Sequence, residues 1–281
     1  MKKGFDYISD VHLDSWLRQA DRRNPVAVRK LIMSKFLKNV VGGPVHPTLV
    51  IAGDISHSNE LSAIFLKVLA EEFYSDIVMV PGNHDMASRL DGDNFGSYVE
   101  RLGDLENRLY STKGAHLLLG NAVEVEGVRY GGTMGWYDYT YSIKKFNHTA
   151  EQGIALFRSW WDHHNIKMPG GIPMDNFLDF FAQEYKKVEA LVGCVDVMVT
   201  HMGPVDDYIA SKYQDDPYSG FFYFDGRSQL NREDAPAVWV YGHTHLPHTD
   251  KFSNTTLLCN PYGYKGENQS PAGILSHTLE V

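Results

Sequence analysis

Apolar and polar positions fall into short alternating blocks over the first third of the chain. The runs Gly4–Ser9, Thr48–Ala52 and Asp76–Val80 each stop at a turn signal: Asp10, Gly53-Asp54 and Pro81-Gly82-Asn83. Runs this short, bounded by turn formers, predict buried strands. Apolar residues at helical spacing fill the intervals, around Pro25–Val40 and Asn59–Phe73. The resulting β-α-β-α-β order predicts parallel strands with helices packed on the sheet. Ligands of such sheets bind beyond the carboxyl ends of the strands, where these polar clusters sit.

Residues 86–115 read as a helix with loops, after which strand-like runs return: His116–Leu119, Val123–Val125, Val128–Gly131, Val195–Thr200, Ala237–Tyr241, Thr255–Cys259 and Ile274–Val281. Their number predicts a second sheet instead of an extension of the first. Two facing sheets with helices outside would bury long apolar strands on both faces. Residues 136–192 interrupt the series, read as helical and are rich in aromatics, among them Trp136, Tyr137, Tyr139, Phe157, Trp160, Trp161, Phe177 and Phe180. The expected organisation is one α/β domain over 1–281 with this segment as an insertion. An aromatic stripe fits core or a subunit interface first, leaving an oligomer open, and a substrate platform second. Lying outside every polar cluster, the segment is expected to govern which substrate enters, with Tyr139 and Trp160 as test positions.

Composition narrows the class. The chain has 281 residues, 43% of them hydrophobic, enough for a sizeable core. Two lysines near the N-terminus have no apolar run behind them, and no stretch reaches membrane-spanning length, so a soluble cytoplasmic protein is expected. Cys194 and Cys259 are the only cysteines; they read as buried thiols and exclude a disulfide framework. A net charge of -9 disfavours broad nucleic-acid binding. Between Trp16 and Lys38, however, Arg18, Arg22, Arg23, Arg29, Lys30, Lys35 and Lys38 meet only Asp21. That cluster reads as the solvated face of an amphipathic helix, with a collar for an anionic substrate as the minority reading.

Candidate chemistry concentrates at the strand ends, in the order Asp10-Val-His12, Gly53-Asp54, Gly82-Asn83-His84-Asp85, Thr200-His201 and Gly242-His243-Thr-His245. Each signature alone is weak. Together they bring several carboxylates to one sheet edge, and these cannot share a dry site without compensating cations. Bound metal is the economical explanation. Imidazole, carboxylate and amide oxygen without thiolate suit manganese, iron or zinc better than calcium or magnesium. Asp10 and His12, two apart, would share one face of an extended strand. His243 and His245 have the same spacing, but a turn after Gly242 could splay them towards different ions.

The ordered set D-x-H, G-D, G-N-H-D, a strand-end His and G-H-T-H resembles the calcineurin-like metallophosphoesterase superfamily, over Asp10 to His245. The resemblance implies a four-layer α-β-β-α sandwich of two facing mixed sheets with a dinuclear metal site at strand ends. It implies that Asp10, His12 and His245 bind one ion, that Asn83, His201 and His243 bind the other, and that Asp54 bridges them. His84 would be a non-ligand histidine facing the substrate phosphate, with Asp85 as its orienting partner. One departure stands out: many members carry an acid four residues after the Gly of the Gly-Asp motif, often followed by Arg, and here that stretch reads Gly53-Asp54-Ile55-Ser56-His57. That argues against close kinship with the protein serine/threonine phosphatases, and His57 reads as a packing residue.

The expected function is a metal-dependent phosphoesterase using two divalent transition-metal ions, manganese preferred and iron or zinc the alternatives. Paired ions about 3.5–4 Å apart can hold a phosphoryl group and supply a bridging hydroxide for in-line attack. A small phosphodiester or nucleotide is the preferred substrate; a nuclease and a phosphomonoesterase are the enzymatic alternatives. A non-catalytic metal-binding interaction scaffold is the rival from another class, and the retention of His84 beside a full ligand set weighs against it.

Overall fold

The computed structural model describes residues 3–37, 44–88, 94–267 and 272–279. Two mixed sheets face each other with helices on both outer sides, forming an α/β sandwich. The first sheet has the order β11-β1-β2-β3-β4, built from β1 (Gly4–Ile8), β2 (Thr48–Ala52), β3 (Asp76–Val80), β4 (Ala115–Leu117) and β11 (Leu275–Thr278). The second has the order β5-β6-β7-β8-β10-β9, from β5 (Asn121–Val125), β6 (Val128–Gly132), β7 (Val197–Val199), β8 (Val238–Tyr241), β9 (His248–Phe252) and β10 (Thr255–Cys259). β1, β2, β3 and β4 run parallel, as do β6, β7, β8 and β10; β11, β5 and β9 are antiparallel edges.

Strand side chains alternate between two cores, which explains the nearly continuous apolar runs. Phe5, Val50, Ala52, Val78 and Val80 meet Tyr130, Val197, Val199, Val238, Val240 and Leu258 between the sheets. The intervening residues Ile8, Leu49, Ile51, Ile77 and Met79 turn outwards onto helices Pro25–Leu31, Asn59–Glu72 and Tyr98–Leu109. On the far side Met198, Trp239, Tyr241 and Leu257 pack with helix Phe177–Leu191 and other parts of the aromatic segment. Helix starts carry their expected caps: Ser58 Oγ accepts from Leu61 N, Ser97 Oγ from Glu100 N, and Asn176 Oδ1 from Leu178 N.

Several expectations change. The runs at 116–119 and 274–281, assigned by sequence to the second sheet, belong to the first. β4 extends its β-α-β series after helix Tyr98–Leu109, and β11 returns to pair with β1. Strand membership depends on which edge is open, and no local pattern encodes that. β9 escaped notice because its residues are polar and mostly exposed. The first predicted helix is α-helical over Pro25–Leu31 and a π-type turn over Ile32–Phe36; its expected end at Val40, like Lys38 and residues 280–281, lies outside the described residues. Cys259 is buried as expected, whereas Cys194 is exposed after the last turn of its helix. Tyr139 is fully buried, so it belongs to the core.

The loops at the carboxyl ends interlock with no spare volume. Gly53 has φ 85°, and a methyl group built there would lie 2.5 Å from His201 Nδ1. One built on Gly82 would lie 2.1 Å from Asp54 Oδ1 and 2.7 Å from Asp54 N. Both glycines are therefore required by close approach. Gly82→Ala is expected to destabilise the protein by about 1–3 kcal/mol in urea denaturation, the usual scale of overpacking. A change within about 0.5 kcal/mol, typical of surface sites, would mean that these loops part freely.

Candidate metal centre

The carboxyl ends of β1, β2, β3, β7 and β8 meet where the two sheets adjoin. Backbone bonds stitch the loops: Asp10 N donates to Gly53 O (3.0 Å), His12 N to Asp54 O (3.0 Å) and Gly242 N to His201 O (3.0 Å). Other contacts cross between the sheets. His243 N donates to the Asp10 carboxylate (2.9 and 3.1 Å), and His201 Nδ1 donates to Ala52 O (2.8 Å). Nine non-glycine residues have positive φ among the described residues, and Asp10, His12, Asp54, His243 and His245 are five of them. Left-handed backbone is costly for such residues and persists only where the surroundings enforce it. Asp10 and His12 thus reach one site through left-handed turns, not through the extended strand that their spacing suggested.

Asp10, His12 and His245 offer ligand atoms within 4.8 Å of one another, and so do Asp54, His201 and His243. Asp54 lies between the groups, its Oδ2 3.3 Å from His201 Nε2 and 3.8 Å from His12 Nε2. His201 Nε2 also faces Asn83 Oδ1 at 3.0 Å, and His12 Nε2 faces His245 Nε2 at 3.1 Å. Outer partners orient the rings: His245 Nδ1 meets Glu267 (2.6 Å) and His243 Nε2 meets Phe221 O (3.2 Å). Such partners leave the opposite nitrogen of each imidazole for a metal. Facing imidazoles, buried carboxylates and an amide oxygen, with no thiolate, form a donor set that suits a transition metal.

A third grouping joins His12, Asp54 and His84. His84 Nε2 is 3.9 Å from Asp54 Oδ2, but it also faces Tyr264 Oη at 3.1 Å, while Nδ1 meets His57 Nε2. Both ring nitrogens are therefore engaged by protein. Asp85, expected to orient His84, instead points inward. Its carboxylate accepts from the backbone N–H groups of Gly82 (2.9 Å), Asp54 (2.8 Å), Ile55 (3.1 Å) and Ser56 (3.3 Å). It holds two strand-end loops together. The partner of His84 is His57, whose Nδ1 lies 3.2 Å from Asp14 Oδ2, so His57 does more than pack.

Charge in the cluster is shared unevenly. Burial pushes Asp10 up, but the hydrogen bond and charge of His245, together with the charge of His201, outweigh it and bring Asp10 down to about 2. Against its own burial, Asp54 is held well below the usual carboxylate range by His201 and His84. Burial would lower His201 and His245, yet Asp54 raises the first to about 9, and Asp10 with Glu267 raises the second to about 10. Burial takes His12 down to about 4 and His243 to about 3. In the metal-free chain, protons on His201 and His245 offset the charges of Asp10 and Asp54.

A cavity of about 800 Å³ opens over the cluster, lined by Asp54, Asn83, His84, His243 and His245 below and by Trp160, Trp161, Tyr213, Tyr218, Phe222 and Tyr264 around. Trp161 stacks on His84 (4.2 Å, 23°) and Tyr264 on His12 (4.0 Å, 19°). Lys212 is the sole lysine or arginine in this lining among the described residues. The basic stretch after Trp16 contributes none; Arg23 and Arg29 pair with Glu60 (2.7 Å) and Glu72 (2.5 Å) of the neighbouring helix. Sequence reasoning missed Asp14, Asp162, Tyr264 and Glu267. The Pro261–Gly263 turn after β10 was a further strand-end signal pointing to the last two.

The sequence profile of the calcineurin-like phosphoesterases matches residues 5–247. The chain belongs to that family. It is a metal-dependent phosphoester hydrolase, as the expected ligand types and the family agree. No curated protein matches it. Among solved structures it is similar to the phosphopantetheinyl hydrolase PptH from Mycobacterium tuberculosis, with 16% identity and a TM-score of 0.70 over 98% of this chain and 96% of that one. A putative 5′-nucleotidase from Staphylococcus aureus is more distant, with 13% identity and a TM-score of 0.41 over 91% of this chain and 48% of that one. The first likeness shows the phosphoesterase fold. No described helix is long and apolar enough to cross a membrane.

The proton inventory has a consequence for stability. Histidines raised in the fold contribute stability that is complete below their unfolded pKa near ~6.5 and is lost as pH rises through the folded values. For His201 and His245 those values are about 9 and about 10. Chelated protein is expected to lose urea resistance between pH 7 and 10 (~the span of these values), and metal-loaded protein to lose much less, because metal replaces the protons. A flat profile for the chelated protein would contradict this charge assignment.

Proposed function

We propose that this family member hydrolyses a small phosphodiester whose organic part is aromatic or apolar, using two metal ions. The observation that carries the reading is the aromatic-walled cavity lying directly over Asp54, Asn83, His84, His243 and His245. Offset stacking on rings such as Trp160 and Tyr218, themselves 5.5 Å apart, would hold a flat or apolar group. A nucleic-acid backbone needs a row of cations, and a lining with Lys212 alone does not supply one. In this reading residues 1–281 act as one domain, and the segment 136–192 provides part of the substrate wall through Trp160 and Trp161.

Asp10, His12 and His245 would hold one ion, Asn83, His201 and His243 the other, and Asp54 would bridge them, with manganese the preferred metal. When bound, such ions supply positive charge for the phosphoryl oxygens and acidify a water for attack on phosphorus. The remaining work falls to the protein. His84 lines the cavity beside Tyr264, and its Nε2 would exchange the Tyr264 contact for a proton given to the departing oxygen. The line Asp14–His57–His84 fixes the ring: with Asp14 accepting from His57 Nδ1–H, His57 Nε2 accepts from His84 Nδ1–H. Asp14 thereby orients the His84 ring through an intervening imidazole. Burial, outweighing Asp54 beside it, holds His84 well below the usual histidine range and so makes it a ready proton donor once charged.

Asp54→Ala is expected to weaken both metal sites and leave little activity. Full retention of two metals per chain, measured by elemental analysis after gel filtration, would show that Asp54 is not shared.

His84→Ala is expected to keep both metals and lose turnover, by about 10²–10⁴-fold on an alkyl phosphodiester. The deficit should shrink on a bis-nitrophenyl diester, because nitrophenolate leaves without protonation. Loss of a metal would make His84 a ligand, and equal slowing of both substrates would make it a phosphate-positioning group. A manganese-loaded wild type inert towards both diesters would overturn the phosphodiesterase reading.

A further inference from the structure

The amide of Asn83 can present either its oxygen or its nitrogen to the metal centre, and only the oxygen can bind a cation. What decides between them is Asp162, which sits in the aromatic segment on helix Trp161–Asn165 and is fully buried. Its carboxylate receives three donors: Asn83 Nδ2 at 2.8 Å on Oδ1, and Tyr137 Oη at 2.7 Å and Trp160 Nε1 at 3.0 Å on Oδ2. An ionised carboxylate only accepts, so the group beside Oδ1 must be the amide NH₂ of Asn83. The amide oxygen is then forced towards His201 Nε2, 3.0 Å away.

We propose that Asp162 is a positioning residue of the metal centre: it fixes the orientation of the Asn83 amide and ties that ligand to Trp160 in the substrate wall. The inference rests on the reading of Asn83 as a metal ligand. It follows from one anion with three donors, of which one belongs to the metal cluster, one to the cavity and one to the core. A buried carboxylate serving packing alone would have no need of the ligand. The contact spans 79 residues of sequence and adds a hydrogen bond to the stacking of Trp161 on His84 that also links the aromatic segment to the cluster.

The test is a mutant cycle read by manganese titration calorimetry of the metal-free protein, with thermal melts to confirm folding. Asp162→Asn keeps the shape of the side chain but lets the paired amides turn. It is expected to weaken one manganese site by about 10–100-fold, the usual effect of removing an outer partner of a ligand, while the other site changes less than about threefold. In an Asn83→Ala background, where no amide is left to orient, Asp162→Asn should change manganese affinity by less than about threefold. Equal losses in both backgrounds would overturn the positioning role and leave Asp162 a structural residue. If Asn83→Ala alone retained both sites at wild-type affinity, the ligand reading would fail, and the inference with it. Tyr137→Phe removes a different donor and keeps the Asn83 contact, so it should bind manganese within about threefold of wild type. A loss of tenfold or more there would show that the carboxylate acts through core packing, again overturning the proposal.

Discussion

Two buried carboxylates that have no lysine or arginine beside them among the described residues govern this structure. Asp10 and Asp54 are almost wholly withdrawn from solvent, and their ion-pair partners among the described residues are histidines. Burying charge at that density is prohibitive unless cations or protons compensate it. Imidazoles are the flexible answer, because they carry protons when metal is absent and offer lone pairs when it is present. The outer acceptors Ala52 O, Phe221 O and Glu267 follow from this for His201, His243 and His245, each holding one nitrogen so that the other is available. His12 Nδ1, by contrast, is buried without such a partner among the described residues.

Holding such a cluster rigid requires the backbone to leave its preferred regions. The left-handed conformations at Asp10, His12, Asp54, His243 and His245 put side chains where an extended strand would not. Their cost is offset by the Asp85 carboxylate, which gathers four backbone N–H groups from two loops, and by the Asp10 carboxylate, which takes the N–H of His243 from the opposite sheet. A carboxylate that accepts several main-chain bonds is among the strongest local clamps available. Gly53 and Gly82 are the complementary feature, allowing the clamped loops to touch.

The aromatic segment divides by burial into two parts. Trp136, Tyr137, Tyr139, Phe157 and Phe177 form core against the second sheet, while Trp160 and Trp161 turn towards the cavity. Asp162 lies at the boundary between these groups, and its bonds reach both. Wall and floor of the cavity are consequently parts of one hydrogen-bonded unit. The shape of the cavity wall and the geometry of the cluster below it need not vary independently.

By itself the sequence determined the strands β1, β2 and β3 with their helices, and the residues standing at their ends. Those features are local: an apolar run of fixed period, then a turn former, then Asp10, Asp54 or Asn83-His84 at the place where the strand must stop. Motif order extended the reading to His201, His243 and His245, because the same signal recurs after β7 and β8. Tertiary structure alone decided the rest. Sheet membership of β4 and β11 depends on which edges stay open, and the inward turn of Asp85 depends on two loops meeting. The contact of His84 with Tyr264 spans 180 residues and that of Asn83 with Asp162 spans 79, so no window of sequence contains both partners. Periodicity reports which face of an element is buried; it carries no information about which distant side chain will complete a hydrogen bond there.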